Sequence, residues 1–578
     1  MRKFEKMLAA TVKRISLFAA LVVTASTSFA AQVPAYNTGD ALKEATPPPA
    51  PAQKVAPAPQ PQIVIQQEQP FSLADGQKIL VKDFRLEGAK TDGESLQAAL
   101  AILAPYKNRE LTMAEITEAV NKLTILFRSK GYLLAKAYVP KQDARDGILT
   151  VRIVLGEYGK IILNNKSQVS DFLVKGIFEH AKSSAAPVVT KDGLERAMLI
   201  VGDLPGNSIP TVTVAPGSLP GTSDFTVNVE PGKRLDGYVM ADNQGSRFTG
   251  KDRLYAGVDV NSPFALGDKL SVNGETSEGK GLQNLRVAYG LPLAYNGMRA
   301  ELAASRTLYT LGEEYASLDA SGTADVLEGT ISYPVRKSRE DTIDLSLNVA
   351  GKLLRDIVGV ADPNPETTKH VVVATLGAQR GVYGTLWGRN LFTTMSGGIN
   401  VGNLSIGEDF QKAQNQAGAN TTGIYSKANL ALTGNLSITD KFSAKSSLKV
   451  QKAITGRNMD GTEQMGISGN TGVRAYPEGI EGDNGYLVSA DLRYALSGAF
   501  KIEQTAGLFV DNGGVYAQHG AYANNSDRIM LTDAGVGYYL GFRKLSGSVQ
   551  VAQALGHMPS ASEIHYCTRV LLQVSLAF

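Results

Sequence analysis

From residue 235 to the end of the chain, apolar and polar positions alternate with a period of two. Leu254, Ala256, Val258 and Val260 alternate with Tyr255, Gly257 and Asp259. Ile343, Leu345, Leu347 and Val349 alternate with Asp344, Ser346 and Asn348, and Leu545, Val549 and Val551 with Ser546, Ser548 and Gln550. Turns rich in Gly, Asn and Asp separate these runs. A strand with one apolar and one polar face suits a wall between lipid and a wet lumen. About sixteen such segments can be placed, an even number as single-chain bacterial barrels require. They lie near 235–243, 252–261, 267–277, 282–291, 298–308, 326–336, 341–355, 368–383, 388–402, 422–435, 441–453, 485–496, 501–511, 530–541, 543–555 and 566–578. The expected fold is therefore a transmembrane β-barrel of about 16 antiparallel strands over 233–578, wide enough for water or an extended peptide.

Ahead of it the period changes. A strand over 79–88 leads to a helix carrying Leu96, Leu100, Ile102, Leu103 and Tyr106. A second helix starts at Thr112, where Thr112 and Glu115 have the spacing of a capping box, and Gly131 ends it. Its apolar positions Ile116, Val120, Leu123, Ile125, Leu126 and Phe127 recur at roughly helical spacing. Strands at 135–140 and 147–155 follow, joined by a turn at 143–147. The order strand, helix, helix, strand, strand then repeats at 160–163, 169–181, 191–201, 209–214 and 224–229. Two small α+β units, 71–157 and 158–232, are expected as a modular array.

The first thirty residues have the pattern of a secretory signal. Arg2, Lys3, Lys6, Lys13 and Arg14 precede an apolar run from Ile15 to Val23, and Ser28-Phe29-Ala30 places cleavage after Ala30. That run is too short to span about 30 Å of hydrocarbon. Residues 31–70 are rich in Ala, Pro and Gln, as in an extended tether without a core. The stretch from Thr38 to Ala45 allows two helical turns, too short to span a lumen, so 31–70 is expected to be a disordered leader and linker.

Composition narrows the chemistry. Lys+Arg 58 against Asp+Glu 55 gives a formal charge of +3, which speaks against a dedicated nucleic-acid binder. The single cysteine, Cys567, excludes an internal disulfide. His180, His370, His519, His557 and His565 are scattered, with no HExxH, no paired metal-ligand spacing, no GxSxG elbow and no P-loop. No enzyme activity, cofactor or metal is expected.

One stretch organises the rest. A glycine-flanked loop, Gly469 to Gly479, carries Val473, Arg474, Ala475 and Tyr476. The next strand shows Tyr486, Val488, Ala490, Leu492, Tyr494 and Leu496 on one face, with Ser489, Asp491 and Arg493 on the other. A further strand ends Phe509-Val510-Asp511-Asn512-Gly513. If the loop folds back into the barrel, Arg474 needs a buried anion, and Asp511 is the candidate.

The Val473–Tyr476 loop resembles the valine-arginine-glycine-tyrosine/phenylalanine motif of the outer-membrane transporters of two-partner secretion, in the Omp85 superfamily. Phe509-x-Asp511-x-Gly513 resembles that family's second motif. The resemblance implies that the loop arginine reaches into the lumen and pairs with the aspartate. Ala475 stands where the family has glycine, so a different local turn is expected. The two α+β units resemble POTRA domains, the first through Phe127-Arg128-Ser129-Lys130-Gly131-Tyr132 and Tyr138-Val139-Pro140. Run 242–250 resembles the family's first hairpin. The alternating last strand ending in Phe578 resembles the signal by which assembly machinery accepts outer-membrane barrels.

The resemblance implies an outer-membrane pore of a Gram-negative cell, with its POTRA-like units in the periplasm. It would recognise and export, and thereby activate, a large partner exoprotein: an adhesin, haemolysin or contact-dependent toxin. Its other partners would be outer-membrane lipid, the barrel-assembly machinery and periplasmic chaperones, with no nucleic acid. A barrel-assembly insertase, which usually carries more repeats and no proline-rich leader, is one alternative. A passive porin, which needs no periplasmic repeats, is another, and a structural adhesin barrel a third.

Overall fold

The computed structural model describes residues 36–45, 63–65, 78–88, 93–142, 146–184, 188–361, 365–477, 479–496, 502–519, 528–556 and 568–578. The expected signal sequence, most of the expected leader, the turn at 143–145, His557, His565 and Cys567 lie outside the described residues.

A two-turn helix, α1 (Thr38–Glu44), and a short strand, β1 (Ile63–Ile65), come first. The first α+β unit holds β2 (Lys78–Val81), β3 (Asp83–Glu87), α2 (Gly93–Leu103), β4 (Arg109–Thr112), α3 (Met113–Ser129), β5 (Lys136–Tyr138) and β6 (Ile148–Val154). The Thr112–Glu115 capping box forms: the Thr112 N–H donates to Glu115 at 2.8 Å and the Glu115 N–H to the Thr112 hydroxyl at 3.2 Å. The Thr112 N–H bond holds the Glu115 carboxyl below its usual range. β4, which pairs with β2, was not expected, because Arg109-Glu110 masks its one buried position, Leu111. Leu103, Leu111, Ile116, Leu123, Phe127 and Val151 close the core.

The order repeats in β7 (Glu157–Asn165), α4 (Asp171–Ser184), α5 (Lys191–Gly202), β8 (Thr211–Pro216) and β9 (Thr222–Val229). β1, from far upstream, lies parallel to β8 and adds a fourth strand to this sheet, in the order β1-β8-β9-β7. In the first unit the three-stranded sheet runs β3-β6-β5, leaving β5 at one side.

The barrel follows: β10 (Leu235–Asp242), β11 (Arg253–Asn261), β12 (Lys269–Ser277), β13 (Leu282–Pro292), β14 (Arg299–Thr310), β15 (Ala320–Lys337), β16 (Asp341–Val358), β17 (Glu366–Leu386) and β18 (Arg389–Ile406). After helix α6 (Asp409–Ala417) come β19 (Gly423–Ser437) and β20 (Phe442–Ala453). Two-residue strands β21 (Met465–Gly466) and β22 (Glu481–Gly482) belong to the loop after β20. The wall ends with β23 (Asn484–Leu496), β24 (Glu503–Tyr516), β25 (Ile529–Phe542), β26 (Leu545–Ala554) and β27 (Thr568–Ala577). Sixteen strands close antiparallel, as the alternation predicts. The closing pair β10–β27 is short, running from Tyr238↔Ala577 to Asp242↔Gln573. Strand length grows from 8 residues in β10 to 21 in β17 and falls to 10 in β27. β15 and β17 exceed the sequence expectation at both ends and β16 and β18 at their C-terminal ends; in β15 small residues such as Ser321-Gly322-Thr323 blur the alternation.

The second α+β unit is fastened to the turns at one end of the barrel. The Ser170 N–H donates to the Ala265 carbonyl at 2.8 Å, and the Ser262 hydroxyl to the Pro205 carbonyl at 2.5 Å. Arg196 donates to the carbonyls of Pro334 (2.5 Å) and Asn296 (3.2 Å), and the Arg339 N–H to Glu195 (2.9 Å). The loop after β20, residues 454–483, starts at the opposite end.

One expectation is corrected. Residues 36–45 are not a disordered leader: α1 is docked inside the barrel, with Tyr36, Thr38 and Ala41 buried. The sequence reading asked whether the helix could span the lumen. It need not, because it is held between the wall and the 454–483 loop.

Candidate functional site

The 454–483 loop folds back into the barrel and forms the centre of its interior. β21 and β22 pair, and the Ile467 N–H donates to the Ile480 carbonyl at 2.9 Å, pinching the loop into a finger. At its tip the Val473 N–H reaches the Ile467 carbonyl at 2.8 Å and the Gly469 N–H the Tyr476 carbonyl at 2.8 Å. A Cβ on Gly472 would lie 2.4 Å from the Ile467 carbonyl, so this tight tip requires glycine. Val473, Ala475, Tyr476, Ile467 and Ile480 are buried against Leu487, Phe509, Leu531, Ala552 and Leu571 of the wall.

The finger presents Arg474 to a set of acceptors on β23, β24 and β26. Nε lies 3.2 Å from Asp511 Oδ2, and Nη2 lies 3.1 Å from Asp491 Oδ1 and 3.2 Å from Ser489 Oγ. Nη1 donates to Gln550 at 3.1 Å, and the guanidinium sits 3.9 Å from the centre of the Phe509 ring. The Asp511 side chain is 1% exposed and that of Arg474 21%. A buried guanidinium with two carboxylates and a ring face is well compensated. Backbone contacts fix the same tip: the Ala475 N–H donates to Asp533 at 2.6 Å, and Arg569 donates to the Arg474 carbonyl at 3.2 Å. Ala475 does not adopt a positive φ. The expected difference in turn thus takes the form of ordinary backbone held by a carboxylate.

Phe509, Asp511 and Gly513 each meet the finger. The Phe509 ring lies over Gly535, where a Cβ would be 2.3 Å from it. Gly513 leaves room for Ile467, which a Cβ would meet at 3.1 Å. Phe578, the remaining singled-out residue, is far from the finger: its N–H donates to the Gly237 carbonyl at 2.9 Å and its ring covers Gly237.

Sequence reasoning missed Asp491, Ser489, Gln550, Asp533 and Arg569 as partners. Their signal lay in register. Ser489, Asp511 and Asp533 are consecutive cross-strand partners, as are Asp491, Phe509 and Gly535. Period two told which face each residue occupies, but not which residues stand side by side.

A second cluster holds α1. The Thr38 N–H and hydroxyl donate to Asp356 at 3.0 and 2.9 Å, and Tyr309 donates to the same carboxylate at 2.6 Å. Glu44 accepts from the Ser246 N–H at 2.6 Å and the Thr249 hydroxyl at 3.0 Å. Tyr36 packs edge-on against Tyr309 at 5.5 Å. Toward the finger, Lys43 pairs with Glu481 at 2.5 Å and donates to the Gly461 carbonyl at 2.6 Å. Gly39 lies so close to Gly461 that a Cβ would come within 2.6 Å of its backbone. The loop is tied to the wall in turn by Lys352 and Lys427 on Glu463 (2.7 and 2.9 Å) and Lys369 on Asp460 (2.8 Å). Helix and loop are thus joined to each other as well as to the wall. No group of three His, Cys, Asp or Glu placed to hold a metal occurs among the described residues.

Comparison with known proteins bears on the fold and the family. Residues 221–540 match the family described as haemolysin secretion/activation protein ShlB/FhaC/HecB, and residues 79–156 match the ShlB-type POTRA domain. The heme/hemopexin transporter protein HuxB of Haemophilus influenzae (strain 86-028NP) is 24% identical over 74% of each chain. The outer membrane transporter CdiB of Dickeya dadantii is 21% identical over 69% of each. Among solved structures, CdiB from Escherichia coli superposes with a TM-score of 0.69 at 18% identity, covering 94% of this chain and 95% of that one. BamA from Haemophilus ducreyi lacking POTRA domains 1-3 gives a TM-score of 0.50 at 13% identity, over 86% of this chain and 100% of that one.

Proposed function

We propose that this chain, which belongs to the haemolysin secretion/activation protein family, exports its partner by clearing the stopper that α1 and the 454–483 finger form in its barrel. The protein is an outer-membrane transporter of two-partner secretion, with POTRA domain structure on its periplasmic side, and it exports a large partner protein. The observation that carries the reading is Arg474 clasped by Asp491 and Asp511, since a loop so held closes the lumen until the clasp opens. Val473, Ala475 and Tyr476 seat the tip, and Phe509, Asp511 and Gly513 form its socket.

The units 71–157 and 158–232 act as the capture modules, ahead of the barrel at 233–578. A client segment in extended form adds to a sheet side such as β5, which ends its sheet in the first unit. The client is a β-helical exoprotein, an adhesin, haemolysin or contact-dependent toxin, crossing the periplasm unfolded and folding outside. Periplasmic chaperones and the barrel-assembly machinery serve the transporter itself, the latter reading Phe578. Each large exported protein of the same organism, expressed with and without this chain, tests the reading. Its release into the medium only when the chain is present is the expected result. Release of none, with free passage of small solutes, would favour the passive-porin reading.

Two consequences are measurable. Deleting residues 36–45 removes the Asp356 and Glu44 anchors together, so conductance in a planar bilayer is expected to rise clearly above that of the intact chain. Unchanged conductance would mean that the finger alone seals the pore. Deleting Phe578 uncovers Gly237 and shortens an already brief closing pair. The amount of folded barrel in the outer membrane is expected to fall, read by heat-modifiable migration, and a normal yield would refute a role in assembly.

A further inference from the structure

The barrel's lipid face does not stop at its periplasmic rim. Leu285, Val287 and Tyr289 point outward on β13, and Leu293 continues the same alternation into the turn after it. Phe264, in the neighbouring turn after β11, stands edge-on to Tyr289 at 6.1 Å, while the Tyr289 hydroxyl donates to Asp268 at 2.9 Å. An aromatic with an apolar body and a hydrogen-bonded tip is typical of the membrane–water boundary. Beyond the rim the surface passes onto the second α+β unit. Phe172, in the first turn of α4, stands edge-on to Tyr295 at 5.9 Å, and Tyr295 lies against Gly176 of the same helix.

Four large apolar side chains along this path are left uncovered: Phe172 is 77% exposed, Phe264 68%, Leu266 49% and Leu293 48%. Singly they would be ordinary surface residues, but together they continue the apolar outer face of the barrel. Their placement is fixed. Gly267, at φ +64°, and Ala265, at φ +60°, turn the loop so that its backbone meets Leu173 and Leu204, and the Ser170–Ala265 and Ser262–Pro205 bonds hold it there. On the other side, Arg196 and Glu195 hold the unit to the turns after β13 and β15. Nor does the core of α4 need Phe172, since Val174, Ile177 and Phe178 fill it.

We propose that Phe172, Phe264, Leu266 and Leu293 form a wedge by which the second α+β unit rests in the periplasmic leaflet of the outer membrane. The occupant is lipid because the patch is continuous with the face that lipid already covers. The wedge sets the height and tilt of the unit at the membrane, and so the direction from which a client reaches the pore.

The chain's single tryptophan, Trp387, makes the test direct. In a Trp387→Phe background, Phe172→Trp and Phe264→Trp are made separately and reconstituted in vesicles whose acyl chains carry bromine near the headgroup. An Ile125→Trp variant, at an exposed apolar position of α3 in the first unit, is the control. The expected result is blue-shifted emission and loss of most fluorescence for the Phe172→Trp and Phe264→Trp variants. The Ile125→Trp variant should keep water-like, unquenched emission. Heat-modifiable migration confirms that each barrel is folded. Unquenched emission from the two wedge variants would overturn the proposal. So would equal quenching of all three, which would mean general collapse of the periplasmic part onto the bilayer.

Discussion

Replacing Arg474 by alanine is expected to reduce export of the partner to near background while the barrel remains in the membrane. The change strands Asp511, which is 1% exposed, and Asp491 beside it, without their cation. Breaking a buried pair from one side costs about 3–5 kcal/mol. A shift of that size moves the balance about 10²–10⁴-fold away from the seated finger, which then fills the lumen without the one seat from which the stopper is cleared. Asp511→Ala should cost less, because Asp491, Ser489 and Gln550 still hold the guanidinium. Asp491→Ala combined with Asp511→Ala should approach the Arg474→Ala phenotype. Since each change breaks the same clasp, the losses from Arg474→Ala and Asp511→Ala should not add. An Arg474→Asp, Asp511→Arg exchange should restore little, because the fork of arginine reaches its partners only from the finger. The double-mutant cycle is read on secreted partner, with barrel abundance measured alongside. Additive losses would show that Arg474 and Asp511 act separately.

Removing residues 79–155 should abolish export altogether, with a barrel that still inserts and still migrates heat-modifiably. The first unit has its own core, and the described hydrogen bonds to the barrel turns come from the second unit. The cut does leave a scar, because Leu133 and Leu134 pack against the second unit's core. Leu133→Ser with Leu134→Ser in the full chain provides the control for that scar. Normal export from the truncated protein would remove capture of the partner from the first unit.

What was legible in the sequence follows from where the energy lies. The barrel declares itself because each strand faces two solvents at once, so Leu254 and Tyr255 had to differ whatever their neighbours were. The capping box at Thr112 was legible for the opposite reason, being satisfied within four residues. That Arg474 needs an anion followed from its burial, and Asp511 could be named because its strand comes soon after the loop and its motif resembles the family's. Asp491 and Asp533 could not be ranked, since they enter only through register across β23, β24 and β25. The docking of α1 was hidden most completely. A seven-residue helix has little stability of its own, and its anchors Asp356, Arg253 and Gly461 lie hundreds of residues away.

The uneven strand lengths have a consequence for the lipid around the protein. Strands rise about 3.3 Å per residue, and about 9–11 tilted residues cross the hydrocarbon. The 8 residues of β10 fall short and the 10 of β27 only just suffice, while the 21 of β17 overshoot. The surrounding bilayer must therefore be pinched on the β10–β27 side and relaxed on the other, at a cost of fractions of a kcal/mol per Å. Such a lopsided annulus acts as an elastic dipole: it gives the molecule a preferred heading in a thickness gradient. Two copies meeting pinched side to pinched side would share one deformation instead of two, an attraction transmitted by the membrane without any contact between the proteins.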